Sequence, residues 1–320
     1  MSRAAWALAL AVLCAVPARA APAQDPANFV FAGGDRVEDV AALLARPDIA
    51  GVQVVYSWRS LEPEQGRYDF SAIERDLAAA DAAERKLFVQ VQDRFFLPTA
   101  RHLPDYLLQE PRYQGGLARQ ADNPGEGKPV AAGWAAKQWN PALRARFQAL
   151  LAALAERFDG RVFGFNLPET AFDPLDGEVD GFDCDAYFAA ELENARFARR
   201  VFRRSHVVQY VNFWPCEWKN DRGYMERFFA AAVAEGIGIG GPDIVPWRPG
   251  QMANAYPFLN RHKDALPLVA MAVQEPTLTY INPATGKPFT RAEIVAFARD
   301  YLGVDIVFWT AEAPWLRQRE

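Results

Sequence analysis

Apolar, β-branched and aromatic residues collect in short runs at Phe29–Phe31, Val52–Trp58, Leu87–Gln92, Val162–Asn166, Val207–Phe213, Ile237–Ile239, Leu268–Val273 and Val304–Trp309. Runs of this length and composition read as buried strands. Between them lie Ala- and Leu-rich stretches whose apolar residues recur at helical spacing: Val37–Leu44, Ser71–Glu84, Pro141–Phe158, Ala186–Arg203, Tyr224–Glu235 and Arg291–Leu302. Ser71 with Glu74, and Thr290 with Glu293, have capping-box spacing, and Pro141 suits the first turn of a helix. The order is strand then helix, repeated.

Eight such repeats predict a parallel sheet closed on itself, a (β/α)8 TIM barrel forming a single domain over residues 21–320. No low-complexity linker, charge block or fixed-period repeat divides the chain. Each predicted strand also turns polar or aromatic at its C-terminal end, as at Ser57-Trp58-Arg59, Gln92-Asp93-Arg94, Asn166 to Glu169, Asn212 to Trp214, Asp243, Gln274-Glu275 and Trp309-Thr310. In barrels of this kind the active site is built at that end.

The N-terminus belongs to a different category. Met1-Ser2-Arg3 is a short basic start, Ala4–Val16 is an apolar run, and Ala18-Arg19-Ala20 has small residues at a cleavage spacing. Residues 1–20 are therefore expected to be a secretory signal peptide, with the mature chain secreted or periplasmic. Pro17 and Arg19 cut the run short of a membrane span, Cys14 lacks the small residue a lipidation site needs before it, and no later segment is apolar enough to span a bilayer.

Hydrophobic residues make up 51% of the 320 and charged ones 23%, which excludes a disordered chain. With 35 basic and 40 acidic side chains the net charge is −5, and loss of Arg3 and Arg19 takes the mature chain to −7. Nucleic acid is not an expected partner. Three His in the whole chain argue against a His-rich metallohydrolase, and neither a metal nor an organic cofactor is expected.

The stretch Trp58-Arg59-Ser60-Leu61-Glu62-Pro63-Glu64-Gln65-Gly66-Arg67-Tyr68-Asp69-Phe70, followed by the strand at Lys86–Gln92, resembles the W-x-x-x-E-P-x-x-G-x-Y-x-F segment after strand 2 of clan A glycoside hydrolases. The resemblance implies two glutamates at the ends of strands 4 and 7, one acting as acid/base and one as nucleophile, and a Trp closing strand 8. Carried onto this chain, those positions fall on Glu169, Glu275 and Trp309. Glu169 and Glu275 are 106 residues apart, against about 112 for three strand–helix units of such a barrel. The clan places Asn directly before its strand-4 Glu; here Pro168 stands there and the nearest Asn is Asn166.

Glycosidic cleavage needs two carboxyl groups because the leaving oxygen must be protonated while the anomeric carbon is attacked or stabilised from its other face. Asp243, and Glu312 just after strand 8, are rivals for the second role. A sugar also needs aromatic faces for its C–H groups and planar polar groups for its hydroxyls. Trp58, Trp214, Trp247 and Trp309 at strand ends are candidates for the first, although a Trp there packs the core as readily. Gln92, Asp93, Asn166 and Asn212 are candidates for the second, with rim capping as the alternative, most of all for Asp93 beside Arg94. The long segment from Leu97 to Trp139 is expected to wall the cleft.

The expected function is hydrolysis of an oligosaccharide or polysaccharide by an exported retaining enzyme; the alternative is a catalytically inactive carbohydrate-binding barrel. Cys184 and Cys216 follow neighbouring strands on one face of the barrel, which allows a disulfide in an oxidising compartment or two separate buried thiols.

Overall fold

The computed structural model describes residues 24–122, 130–175 and 181–317, so the expected signal peptide lies outside the described residues. Eight parallel strands close a barrel: β1 (Ala27–Phe31), β2 (Ile49–Ser57), β3 (Lys86–Gln92), β4 (Gly164–Leu167), β5 (His206–Tyr210), β6 (Gly238–Gly241), β7 (Val269–Val273) and β8 (Ile306–Thr310). Each strand pairs with its sequence neighbours, and β1 pairs with β8 to complete the ring. The helices that follow them are α1 (Ala41–Leu44), α2 (Ser71–Ala82), α3 (Pro141–Phe158), α4 (Cys184–Val201), α5 (Tyr224–Glu235), α6 (Ala255–His262), α7 (Arg291–Phe297) and α8 (Pro314–Arg317). Among the described residues no helix is long and apolar enough to cross a membrane.

Helix starts follow local chemistry. Asn140 caps α3 by accepting from the Ala142 and Leu143 N–H groups, with Pro141 at the first helical position. Thr290 and Glu293 form the expected capping box on α7. Ser71 does not cap α2: it is the first helical residue, and its N–H donates instead to Asp69. Glu74 is freed to pair with Arg157 and Arg161. Helix α6 was not among the expected helical stretches; it is only eight residues long and carries Pro257 in its first turn.

Because side chains alternate across a strand, closure sorts every strand residue to the barrel interior or to the helical layer. Phe29, Phe88, Val208, Leu268, Ile306 and Phe308 fill the interior as a cluster separate from the helical layer, with Phe308 edge-on to Phe29 and Phe88 at 5.7 and 5.1 Å. Gly240 leaves room for the Tyr210 ring: a Cβ there would stand 2.8 Å from it.

Three tryptophans are packed away from the expected cleft, Trp309 by this same alternation and Trp58 and Trp214 in the segments that follow their strands. Trp309 follows Phe308 and so points outward, fully buried, its indole N–H donating to Asn28 Oδ1 at 2.9 Å and its ring edge-on to Trp315 of α8 at 5.3 Å. Trp214 is buried between α4 and α5 against Phe188 and Phe228. Trp58 is buried against Phe147 of α3 and donates to Glu62 at 2.8 Å. Glu62, itself fully buried, also accepts from the Gly66 N–H and pairs with Arg146. A carboxylate taken out of water is tolerated only when donors surround it, so the Trp58–Phe70 segment is a clamp locking the turn after β2 onto α3.

The long segment after β3 carries structure the sequence did not announce: Arg94–Phe95, Leu117–Asp122 and Val130–Ala136 form a three-stranded antiparallel sheet. Its edge ties to the chain after Glu169, through Ala121 N–H to Asp173 O and Leu175 N–H to Arg119 O. Cys184 and Cys216 are joined as a disulfide with their Cα atoms 6.2 Å apart. Replacing Trp309 by Ala should cost about 3–5 kcal/mol of stability, measured by denaturant unfolding, because the ring packs between strand and helix; a loss under about 1 kcal/mol would show that it does not.

Candidate active site

Towards the C-terminal end of the strands the barrel interior changes from aromatic to polar. Gln53 of β2, Gln90 of β3, Asn166 of β4 and Tyr210 of β5 are all buried there. Gln53 Nε2 donates to Asn166 Oδ1 at 3.4 Å and to the Tyr210 hydroxyl at 3.2 Å. The amide oxygens of Gln90 and of Gln92 have no hydrogen-bond partner among the described residues. Buried polar atoms are nearly always satisfied, so two unmet acceptors on the inward face of one strand mark a place where a donor from outside belongs.

Glu169 stands just past β4 and is only 6% exposed. Its neighbours are fixed from several directions. Thr170 N–H donates to Tyr210 O at 3.0 Å and its hydroxyl to Phe213 O at 2.9 Å, while Gln209 donates to Pro168 O. The Tyr187 hydroxyl donates to Thr170 O at 3.0 Å, and Arg94 Nη1 donates to Ala171 O at 2.8 Å. A carboxyl carried on so heavily bonded a turn is preorganised.

Arg94, fully buried, is the centre of an ionic group that also contains Asp93 at 3.4 Å and Glu191 at 3.0 Å. Asp93 accepts from Gln138 at 2.7 Å as well. Asp93 is thus absorbed into the support of the site and does not face the cleft. Two acids share one guanidinium, and burial, followed by the charge of Asp93, outweighs the pull of Arg94 and pushes the Glu191 carboxyl up to about 7.

Asp243, just past β6, accepts from Thr277 Oγ1 at 2.6 Å and lies in a bridge with Val273 at the end of β7. Its main-chain oxygen accepts from Tyr256 at 2.9 Å. Burial first, and then the negative charges of Asp243 and Glu169 against the opposing hydrogen bond from Gln53, hold the Tyr210 phenol far above its usual range. The charges of Glu169 and Asp243 thus act on the same hydroxyl. Glu275 opens the short helix Glu275–Leu278 directly after β7; its side chain lies outside the described residues. Glu312, just after β8, is exposed and pairs with Arg317.

Asn166 faces the interior as described, and Asn212 is half-buried at the rim, where it accepts from Gln251. Of the four expected tryptophans only Trp247 is exposed, at 59%, in the loop after β6 and against Phe297 and Tyr301. Phe96 and Trp218, in the loops after β3 and β5, are also exposed and were not anticipated. Gln53, Gln90 and Tyr210 were missed too, although a polar residue set between apolar neighbours inside a strand was visible in VQVV and LFVQVQ. Among the described residues no group of three or more His, Cys, Asp or Glu is placed to hold a metal ion.

No protein-family model matches the chain, and no curated protein is significantly similar to it in sequence. Solved structures do share its fold. The catalytic domain of a β-amylase from Paenibacillus polymyxa superposes with a TM-score of 0.58 at 9% identity, over 90% of this chain and 93% of that one. A psychrophilic glycoside hydrolase family 10 endo-β-1,4-xylanase gives 0.52 at 10%, over 89% and 86%. A β-galactosidase from the psychrophilic Marinomonas ef1 gives 0.54 at 11%, over 88% of this chain and 53% of that one.

The raised carboxyl of Glu191 has a thermodynamic signature. The folded state holds a proton there that the unfolded chain releases near its ordinary value of 4.5, so this group's contribution to stability is full below that pH and falls as pH rises towards 7. Denaturant unfolding across that range should show the decline, and Glu191→Gln should flatten it; an unchanged slope in the variant would remove the assignment.

Proposed function

We propose that the protein is an exported retaining glycoside hydrolase acting on an oligosaccharide or polysaccharide, with Glu169 as acid/base and Glu275 as nucleophile. The observation that carries this reading is the placement of Glu169: a nearly enclosed carboxyl on a rigid turn beside the mouth of a barrel whose inner wall offers unmet amide acceptors. The structural neighbours described as a β-amylase, a xylanase and a β-galactosidase support the class of chemistry.

In the first step Glu169 gives its proton to the leaving oxygen while the Glu275 carboxylate attacks the anomeric carbon, forming a glycosyl-enzyme ester and releasing the leaving alcohol. In the second, Glu169 takes a proton from water as that water displaces Glu275. Two inversions restore the starting configuration. The role asks Glu169 to hold a proton before the first step, and a carboxyl as enclosed as this one is the kind of group that can do so. Gln90 and Gln92 accept hydrogen bonds from sugar hydroxyls, and Trp247 offers a ring face at the rim.

A second reading rests on one specific observation. The charges of Asp243 and Glu169 both act on the Tyr210 phenol, and a pair with room for a water between carboxylate and sugar would invert the product. An inactive sugar-binding barrel remains the reading if no glycoside is cleaved.

Product stereochemistry separates these. NMR of the first-formed anomer should show retention; Glu169→Ala should slow substrates with poor leaving groups by about 10²–10⁴-fold, spare activated aryl glycosides far more, and be partly rescued by azide. Glu275→Ala should be inactive on both. An inverted product with activity lost in Asp243→Ala would transfer the second role to Asp243.

A further inference from the structure

The opposite, N-terminal face of the barrel holds a cavity of about 340 Å³ lined by Arg85, Lys86, Arg161, Arg204 and His206, with Asp81 as its acid. Lys86 and His206 are the first residues of β3 and β5 and have the inward parity of Phe88 and Val208, so both stand at the floor of the barrel. Between them Phe163 closes the interior: the Lys86 ammonium lies 4.3 Å from the ring centre, and the His206 imidazole 4.9 Å on.

The charge here is weakly compensated. Arg85 donates to the main-chain oxygens of Leu44, Glu84 and Arg46, which satisfy its N–H groups and leave its charge standing. Lys86 pairs with no carboxylate among the described residues. Arg204 is exposed and reaches Asp159 only at 3.7 Å, and that carboxylate already accepts from the N–H groups of Arg203, Arg204 and Ser205. Arg161 alone is matched, by Glu74. Burial first, then the charges of Arg199 and Lys86, hold His206 below its usual range, with Asp305 opposing them. Such a concentration of positive charge is unexpected on a mature chain whose net charge is −7.

We propose that this cavity is a binding site for a phosphate-type oxyanion, served by Lys86, Arg204 and His206 with Arg85 as a fixed background charge. The chemistry fits a multiply charged oxygen anion: an ammonium, an exposed guanidinium and an imidazole line one cavity from different elements, and each can give a charge-assisted hydrogen bond. The site lies at the end of the barrel away from Glu169 and does not depend on the hydrolase reading. Its ligand is free phosphate or the phosphate of a lipid headgroup.

His206 is one of three histidines, so its imidazole proton signal is a direct probe. In the purified protein its pKa should rise in inorganic phosphate relative to chloride at matched ionic strength, because a bound oxyanion offsets the fields of Lys86 and Arg199. The double variant Lys86→Gln/Arg204→Gln, at exposed positions, should retain the wild-type circular dichroism and weaken binding at least about tenfold. Sedimentation with phosphatidylglycerol vesicles against phosphatidylcholine vesicles separates the sources: pelleting that is lost in the variant, without a response to free phosphate, assigns the headgroup. An unmoved His206 titration together with no vesicle binding, or equal binding by the folded double variant, would overturn the proposal.

Discussion

Closing eight parallel strands into a ring leaves each strand residue two directions, inward or into the helical layer, and one step along the chain exchanges them. That rule decides the chemistry of this protein more than any single contact. It sends Phe308 inside and Trp309 outside, sets Gln90 and Gln92 on the same inner wall, and brings Tyr210 to face Gln53 and Asn166 from across the barrel. Glu169 and Asp243 come into play only because the strands that carry them end around that polar wall.

The two ends of the ring carry opposite characters from one construction. At the C-terminal end the strand residues turn to amides and a phenol, with carboxyl groups on the turns beyond. At the N-terminal end they begin with Lys86 and His206, and the helix ends nearby bring arginines. Between the two, interlocked buried phenylalanines fill the interior and separate the ends.

The fold was legible because alternation of strand and helix is a repeated signal, and all eight strands lie where the apolar runs placed them. The site was legible only in part. Strand ends can be found from composition, but the direction of a side chain depends on register, which hydrophobic runs such as VDIVFW do not encode since both of their faces are buried. That is why Trp309 was a candidate for the cleft and is packed in the wall, while Trp58 and Trp214 are drawn to α3 and to α4 and α5 by the chain beyond their strands. Asp93 was a candidate for substrate or, beside Arg94, for a rim hydrogen bond; the buried group it joins was not legible because Glu191 and Tyr187 lie more than ninety residues further on. The three-stranded sheet after β3 was hidden in a Gly- and Pro-rich stretch: its hairpin pairs Leu117–Asp122 with Val130–Ala136, and its third strand, Arg94–Phe95, comes from far earlier in the chain.

Arg94 has one further consequence. Its guanidinium joins the start of that accessory sheet to the turn bearing Glu169 and to helix α4, while the sheet's edge strand hydrogen-bonds to the chain just beyond the same turn. The loops after β3 and β4 therefore form one mechanical part. A homologous loop transplanted after β3 alone would arrive without the acid on α4 that balances its arginine and without the strand partner that receives its edge, so the two loops are exchangeable in evolution or engineering only as a pair.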